Sequence, residues 1–319
     1  MINRIGVLTS GGDSPGMNAA IRAIVRAGIK HGKEMYFIYD GYRGLVEGNI
    51  ERVDRTSVAN IITWGGTVIR SARLPEFADP EVRKKGVEQL RKYGIDALVV
   101  IGGDGTYMGA KKLTEMGINC IGLPGTIDND LACTEYTIGF DTALNTIVEA
   151  VDKLRDTSSS HQRCSVIEVM GNHCGDLALY SGVACGAELI ISPDHMIPKE
   201  EVMSTLRDLK TSSKRHALVI VSEKLFDVKD FAREIEKETG FETRSEVLGR
   251  IQRGGSPSAF DRILAARMGV YAIECLLEGK SGRCVGIIQN RLVDFDIYEA
   301  LTMQRDKHEQ LLKVIATLK

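Results

Sequence analysis

Twice in the first 120 residues a short apolar run breaks into glycines and then into a segment of helical periodicity, and a third run ends in a loop crowded with carboxylates. Residues 4–9 lead into Ser10-Gly11-Gly12-Asp13-Ser14-Pro15-Gly16, after which residues 17–26 place apolar side chains at helical spacing. Residues 97–101 lead into Gly102-Gly103-Asp104-Gly105-Thr106 and a helix-like stretch over 107–116. Residues 120–123 lead into Pro124-Gly125-Thr126-Ile127-Asp128-Asn129-Asp130. Buried strands alternating with helices in this way predict an α/β fold: a doubly wound parallel sheet with right-handed crossovers and ligands at the carboxyl ends of its strands.

The loops differ in chemistry. Strand, glycines and helix together put backbone N–H groups and a helix N-terminus against phosphate. Asp104 sharpens this, because a carboxylate among phosphates is repelled unless a hard cation lies between them, which points to a magnesium-bound nucleotide. The first loop is neither a P-loop nor the dinucleotide fingerprint. In the third loop, Asp128 and Asp130 can divide labour, one taking a proton and the other holding geometry or a metal. Taken alone, it reads equally as an Asx-rich turn.

The chain has 319 residues, 43% hydrophobic, with a formal net charge of -2. That length holds one large or two ordinary domains, and the near-neutral balance argues against nucleic acid as a partner. Seven cysteines without a C-x-x-C pair fit reduced thiols in the cytoplasm. No apolar run reaches the roughly 18–20 residues that cross a bilayer, and the first residues read as a strand rather than a signal peptide.

Further along, a strand at 35–39, a loop or strand edge at 65–75 and a helix from Asp79-Pro80 to about residue 93 complete the first set. A long amphipathic pattern from Gly139 to about Ser160 precedes strands at 164–170, 188–191 and 218–221, with a helix over 199–210. This second set predicts a second sheet and domain. Gly249-Arg250-Ile251-Gln252-Arg253-Gly254-Gly255 is a basic glycine-rich loop before a helix over about 258–278, and its arginines suit bidentate phosphate binding or an ordinary surface loop. Residues 301–318 read as one amphipathic helix. Arg22 and Arg26 share a helix face that is solvated on general grounds. His173 and Cys174 do not make a zinc site, and His161 ends a helix.

With these motifs in order, the chain resembles the bacterial ATP-dependent 6-phosphofructokinases from end to end. The resemblance rests on residues 8–13, Gly102-Gly103-Asp104-Gly105, residues 124–130 and Gln252-Arg253-Gly254-Gly255. It implies two doubly wound α/β domains with interleaved chain crossings: an ATP-binding domain of residues 1–139 and 252–304, and a sugar-phosphate domain of 140–251 and 305–319 that carries effector residues. The implied reaction moves the γ-phosphoryl group of ATP to the 1-hydroxyl of fructose 6-phosphate. Carried over by motif, Gly12, Arg73, Leu74, Gly103, Asp104, Gly105 and Thr106 bind ATP, with Mg2+ on Asp104. Asp128 is the base, Thr126 and Arg73 position the transferring group, and Asp130 helps hold the metal and the loop. Thr126, Ile127, Asp128, Met170, Gly171, Asn172, Glu223, Arg250, Ile251, Gln252 and Arg253 meet the sugar phosphate. Arg163 and Arg244 reach its 6-phosphate from a neighbouring subunit of a homotetramer. Arg22, Arg26, Arg155, Gly186, Ala187, Glu188, Ser212, Lys214, Arg215 and His216 match an effector site for ADP or phosphoenolpyruvate.

Glycine at 105 and 125, where pyrophosphate-dependent relatives carry Asp and Lys, implies ATP as donor. The chain departs from the family pattern at Asn172, usually arginine, at Arg250, usually histidine, and at Ser212, usually an effector arginine. Ser222 and Lys224 also depart, standing where a small apolar residue and glycine are common. These departures imply altered sugar affinity and weakened effector control, and they keep a degenerate regulatory subunit as the rival reading. NAD and lipid kinases share the Gly-Gly-Asp-Gly loop but lack the other motifs.

Overall fold

The computed structural model describes residues 2–212, 214, 216–305 and 308–318. In chain order it forms β1 (Arg4–Thr9), α1 (Met17–Lys30), β2 (Glu34–Ile38), α2 (Gly41–Glu47), β3 (Ile50–Val53), α3 (Pro80–Tyr93), β4 (Ala97–Gly102), α4 (Asp104–Glu115) and β5 (Asn119–Pro124). Next come α5 (Phe140–His161), β6 (Cys164–Val169), α6 (Asp176–Cys185), β7 (Leu189–Ile191), α7 (Lys199–Thr211), β8 (Ala217–Ser222), α8 (Val228–Thr239) and β9 (Thr243–Val247). The chain closes with α9 (Ala259–Leu277), β10 (Arg283–Ile288), β11 (Arg291–Asp296), α10 (Ile297–Ala300) and α11 (Glu309–Leu318).

Two compact units divide the chain. The first comprises Met1–Ile127, Leu131–Thr142 and Arg253–Arg305, and the second Asp128–Asp130, Ala143–Gln252 and Asp306–Lys319. In the first unit seven strands run in the order β11-β10-β5-β4-β1-β2-β3. The five inner strands are parallel, while β3 and β11 pair antiparallel with their neighbours. Alternate residues of one strand feed opposite faces. Val7, Val99 and Ile101 pack toward α1 and α9, whereas Leu8, Leu98 and Val100 join Tyr107 and Leu113 on the other side. Because β1 lies between β2 and β4, the winding reverses at the β1–β4 pair, so the loops after these strands open at a switch point of the kind that holds ligands.

In the second unit a fully parallel sheet runs β7-β8-β6-β9. Its core joins Val166, Val219, Val221 and Leu189 to Leu206 of α7 and Ile235 of α8.

The expected helix over 301–318 is corrected: among the described residues only Glu309–Leu318 is helical. Leu301 closes α10 as its C-cap, and Leu301 and Met303 pack partly buried on the cluster around Leu8 and Tyr107. All seven cysteines are buried and unbridged. Among the described residues no helix is long and apolar enough to cross a membrane.

Candidate active site

In the first unit the glycine loops after β1 and β4 are joined by one backbone hydrogen bond and one from a side-chain hydroxyl. Ser10 N donates to Ile101 O at 3.1 Å, and Thr106 Oγ1 donates to Ser10 O at 3.0 Å. A Cβ at Gly102 would lie 2.2 Å from Thr106 Oγ1 and 2.5 Å from Ser10 O, so only glycine fits between the loops. At Gly12 a Cβ would lie 2.4 Å from Arg253 Nη1, and that guanidinium also donates to Asp13 O at 3.3 Å. The structure therefore brings Gly12 and Arg253, read from distant motifs, into direct contact.

Gly103 caps α4 and Asp104 opens it, exposed, with its carboxylate in the first turn where the helix dipole favours negative charge. A Cβ at Gly105 would meet open space. Arg73 is exposed, its carbonyl accepting from Arg43 Nη2 at 3.2 Å, and Leu74 packs partly buried beside the Leu8 cluster.

The loop after β5 starts in the first unit. Gly125 N donates to Gly102 O at 3.1 Å, and Thr137 Oγ1 donates to Thr126 O at 2.7 Å. A Cβ at Gly125 would sit 2.7 Å from Ile101 Cγ2, so this glycine is required by packing, unlike Gly105. Thr126 and Ile127 are buried. Asp128, Asn129 and Asp130 belong to the second unit. There Asn129, left-handed at φ 52, donates from Nδ2 to Asp176 Oδ2 at 2.7 Å. Asp176, fully enclosed on α6, also takes His308 Nε2 and Cys174 Sγ on Oδ1, at 2.7 and 3.2 Å. Tyr180 presents its ring edge-on to His308, with centroids 5.9 Å apart. The centre of the acid loop is therefore pinned by a buried carboxylate, which an Asx turn would not need.

Asp130 Oδ2 accepts from Asn172 Nδ2 at 3.3 Å, while its Oδ1 is buried with no hydrogen-bond partner among the described residues. Glu223 Oε1 accepts from Gly171 N and Asn172 N at 3.2 and 2.8 Å. Gln252 Oε1 accepts from Met170 N at 3.1 Å while its Nε2 donates to Gly249 O at 2.9 Å. Lys224 Nζ donates to Asn172 Oδ1 at 2.5 Å. Arg163 and Arg244 converge on Glu242, at 2.8 and 2.7 Å. Arg250 and Ile251 are exposed. Burial, then the charges of Glu223 and Asp227, raise the Glu168 carboxyl above its usual range.

The residues matched to an effector site form two groups. On α1, Arg22 and Arg26 are half-buried; Arg22 first, then burial and Arg55, hold the Arg26 pKa below its usual value, which marks a cationic cluster. In the second unit Arg155 Nη2 donates to Cys185 O, and Gly186 closes α6 in the left-handed region. Ala187 and His216 are half-buried, and Glu188 pairs with Lys214 and accepts from Leu218 N at 2.6 Å. Ser212 Oγ donates to Leu209 O at 2.7 Å. Arg215 lies outside the described residues.

The family described as phosphofructokinase matches residues 4–276. The chain belongs to the phosphofructokinase family. An ATP-dependent 6-phosphofructokinase of Vibrio parahaemolyticus is 58% identical over 319 residues and that of Vibrio campbellii 57%, each with both chains fully covered. A solved phosphofructokinase from Saccharomyces cerevisiae aligns with a TM-score of 0.88 at 34% identity, covering 99% of this chain and 46% of the yeast chain. This phosphofructokinase therefore spans about half the length of that yeast chain. A pyrophosphate-dependent phosphofructokinase from Marinobacter aquaeolei shares the fold, with a TM-score of 0.85 at 21% identity over 99% of this chain and 91% of its own.

Asp176 and His308 do not stand out in the sequence as site residues. Their only local signal is a Cys-Gly-Asp turn and an isolated histidine.

Proposed function

We propose that the chain is a kinase that transfers the γ-phosphoryl group of ATP to the 1-hydroxyl of fructose 6-phosphate, giving fructose 1,6-bisphosphate and ADP. The observation that carries this reading is the acid loop pinned at Asn129 by the enclosed Asp176, which holds two carboxylates ready for chemistry. Phosphoryl transfer asks mainly for positioning and charge compensation, with a carboxylate to orient and deprotonate the attacking hydroxyl. Asp128 takes that role, and Thr126 and Arg73 position the group in flight.

Gly12, Gly103, Gly105, Thr106 and Leu74 bind the nucleotide, with backbone N–H groups of the loops and the start of α4 meeting its phosphates. Among the described residues no cluster of three or more acidic, histidine or cysteine side chains forms a metal cage. Mg2+ suits this arrangement, since it binds through one or two carboxylates plus substrate phosphates. The exposed Asp104 carboxylate at the start of α4 is the group that would hold it. When bound, it neutralises charge on the phosphates. The open space beside Gly105 favours a donor that extends past the β-phosphate, hence ATP over pyrophosphate.

Ile127, Met170, Gly171, Asn172, Glu223, Arg250, Ile251, Gln252 and Arg253 receive fructose 6-phosphate. Arg163 and Arg244 serve the 6-phosphate of a neighbouring subunit's substrate in a homotetramer, and the Glu188–Lys214 region takes ADP or phosphoenolpyruvate as effector. A coupled assay for fructose 1,6-bisphosphate, run with ATP and with pyrophosphate, tests the reading. Faster turnover with pyrophosphate overturns the donor, and no turnover with either overturns the function.

A further inference from the structure

Lys224 follows β8 and Glu223 with φ 68, in the left-handed region that suits glycine. Asn172 stands at φ 59 and tolerates it better, because Asn is among the residues that visit this region routinely. Strain of this kind persists where the surroundings impose it and gathers at functional sites. The two side chains meet. Lys224 Nζ donates to Asn172 Oδ1 at 2.5 Å, Asn172 Nδ2 donates to Asp130 Oδ2 at 3.3 Å, and Glu223 fixes the Asn172 amide N–H at 2.8 Å. An ammonium, an amide and a carboxylate thus form a line that ends on the acid loop.

The charges explain why a cation is wanted there. Asp128, Asp130 and Glu223 are three carboxylates of one unit, and Arg163 and Arg244 of that unit are engaged with Glu242. An anionic phosphoryl group approaching this loop meets repulsion unless a positive group offsets it.

We propose that Lys224, oriented by Asn172, is a catalytic cation that offsets the charge of the Asp128–Asp130 loop and contacts the phosphoryl group as it reaches the sugar hydroxyl. This role rests on the function proposed above. Because the lysine is linked through Asn172 to the loop carrying the base, and not to the arginines assigned to the 6-phosphate, its loss falls on kcat more than on KM.

The experiment is steady-state kinetics and thermal melting of the full chain with Lys224→Met, Lys224→Gly and Lys224→Arg. Met and Gly are expected to lower kcat about tenfold while KM for fructose 6-phosphate moves less than threefold. Arg, which keeps the charge, is expected to retain more than a third of kcat. Gly is expected to raise Tm by relieving the left-handed strain, so stability and turnover move in opposite directions. A lysine with no such role would let Gly raise Tm with kcat unchanged. The parent chain separates the two readings. No turnover by the parent overturns the proposed function and this role with it, whereas parental turnover matched by the Met and Gly variants overturns this role alone.

Discussion

The two units build their candidate functional loops from different materials. In the first unit the glycine loops pack closely on backbone: at Gly102 a Cβ would lie 2.5 Å from Ser10 O, and Gly125 N donates to Gly102 O. In the second unit the loops are held by side chains, with Asp176 on Asn129, Asn172 on Asp130, Gln252 on Met170 and Glu223 on the backbone of Gly171 and Asn172. Where a loop packs on backbone, as Gly102 does on Ser10 O, a side chain is rejected on steric grounds, whereas Gly105 faces open space. A surface of side chains can be retuned one residue at a time, and all of the departures at Asn172, Ser212, Ser222, Lys224 and Arg250 lie in that unit.

Four experiments break or sharpen this contrast. Asp128→Ser should lower kcat by about a thousandfold or more while leaving the melting temperature nearly unchanged, because the loss is chemical. Asp176→Ala should cost about 3–5 kcal/mol in denaturant unfolding, since it removes a fully buried partner of His308 and Asn129. A loss below about 1 kcal/mol would mean that the pin on the acid loop is dispensable. Gly102→Ala should cost about 1–3 kcal/mol and raise KM for ATP, because its Cβ would collide with Ser10 O and Thr106 Oγ1. Unchanged stability there would show that the backbone surface gives more than its geometry implies.

The smallest effect concerns Asp261, a side-chain fastening within the first unit. Its carboxyl accepts from Gly139 N and Thr142 N at 2.9 and 2.8 Å. Burial raises its pKa to about 6, above the ordinary carboxylate value, although those hydrogen bonds pull the other way. A group whose folded pKa is raised stabilises fully below its unfolded pKa of about 4 and loses that contribution as pH climbs through about 6. The parent should therefore lose on the order of 2 kcal/mol between pH 4 and pH 7 from this group, and Asp261→Asn should lack that slope. Parallel pH–stability curves for the two chains would contradict it.

The parts legible in the sequence share a physical cause. β1, β4 and β5 are enclosed on both faces, so they appear as unbroken aliphatic runs, and their loops carry the glycines that the switch point demands. β9 is mostly charged or exposed, and β11 alternates weakly at a sheet edge, so neither stands out from loop composition. The turn joining β10 to β11 is Gln289-Asn290, both at positive φ, where an Asn-Gly pair would have announced a hairpin. At the site, chemistry-bearing motifs were visible because each is local. The Asp176–His308 pair and the Lys224–Asn172–Asp130 line are made by residues far apart in the chain, so only three dimensions reveal them.

Burial of every cysteine has a practical consequence. It pushes the thiols of Cys120, Cys133 and Cys164 up to about 12 and those of Cys185 and Cys275 to about 11. An alkylating reagent meets almost no thiolate until the chain opens. Cys120, Cys133, Cys275 and Cys284 lie in the first unit and Cys164, Cys174 and Cys185 in the second. Peptide-resolved labelling over time would thus serve as two native clocks, timing the opening of each half without any added probe.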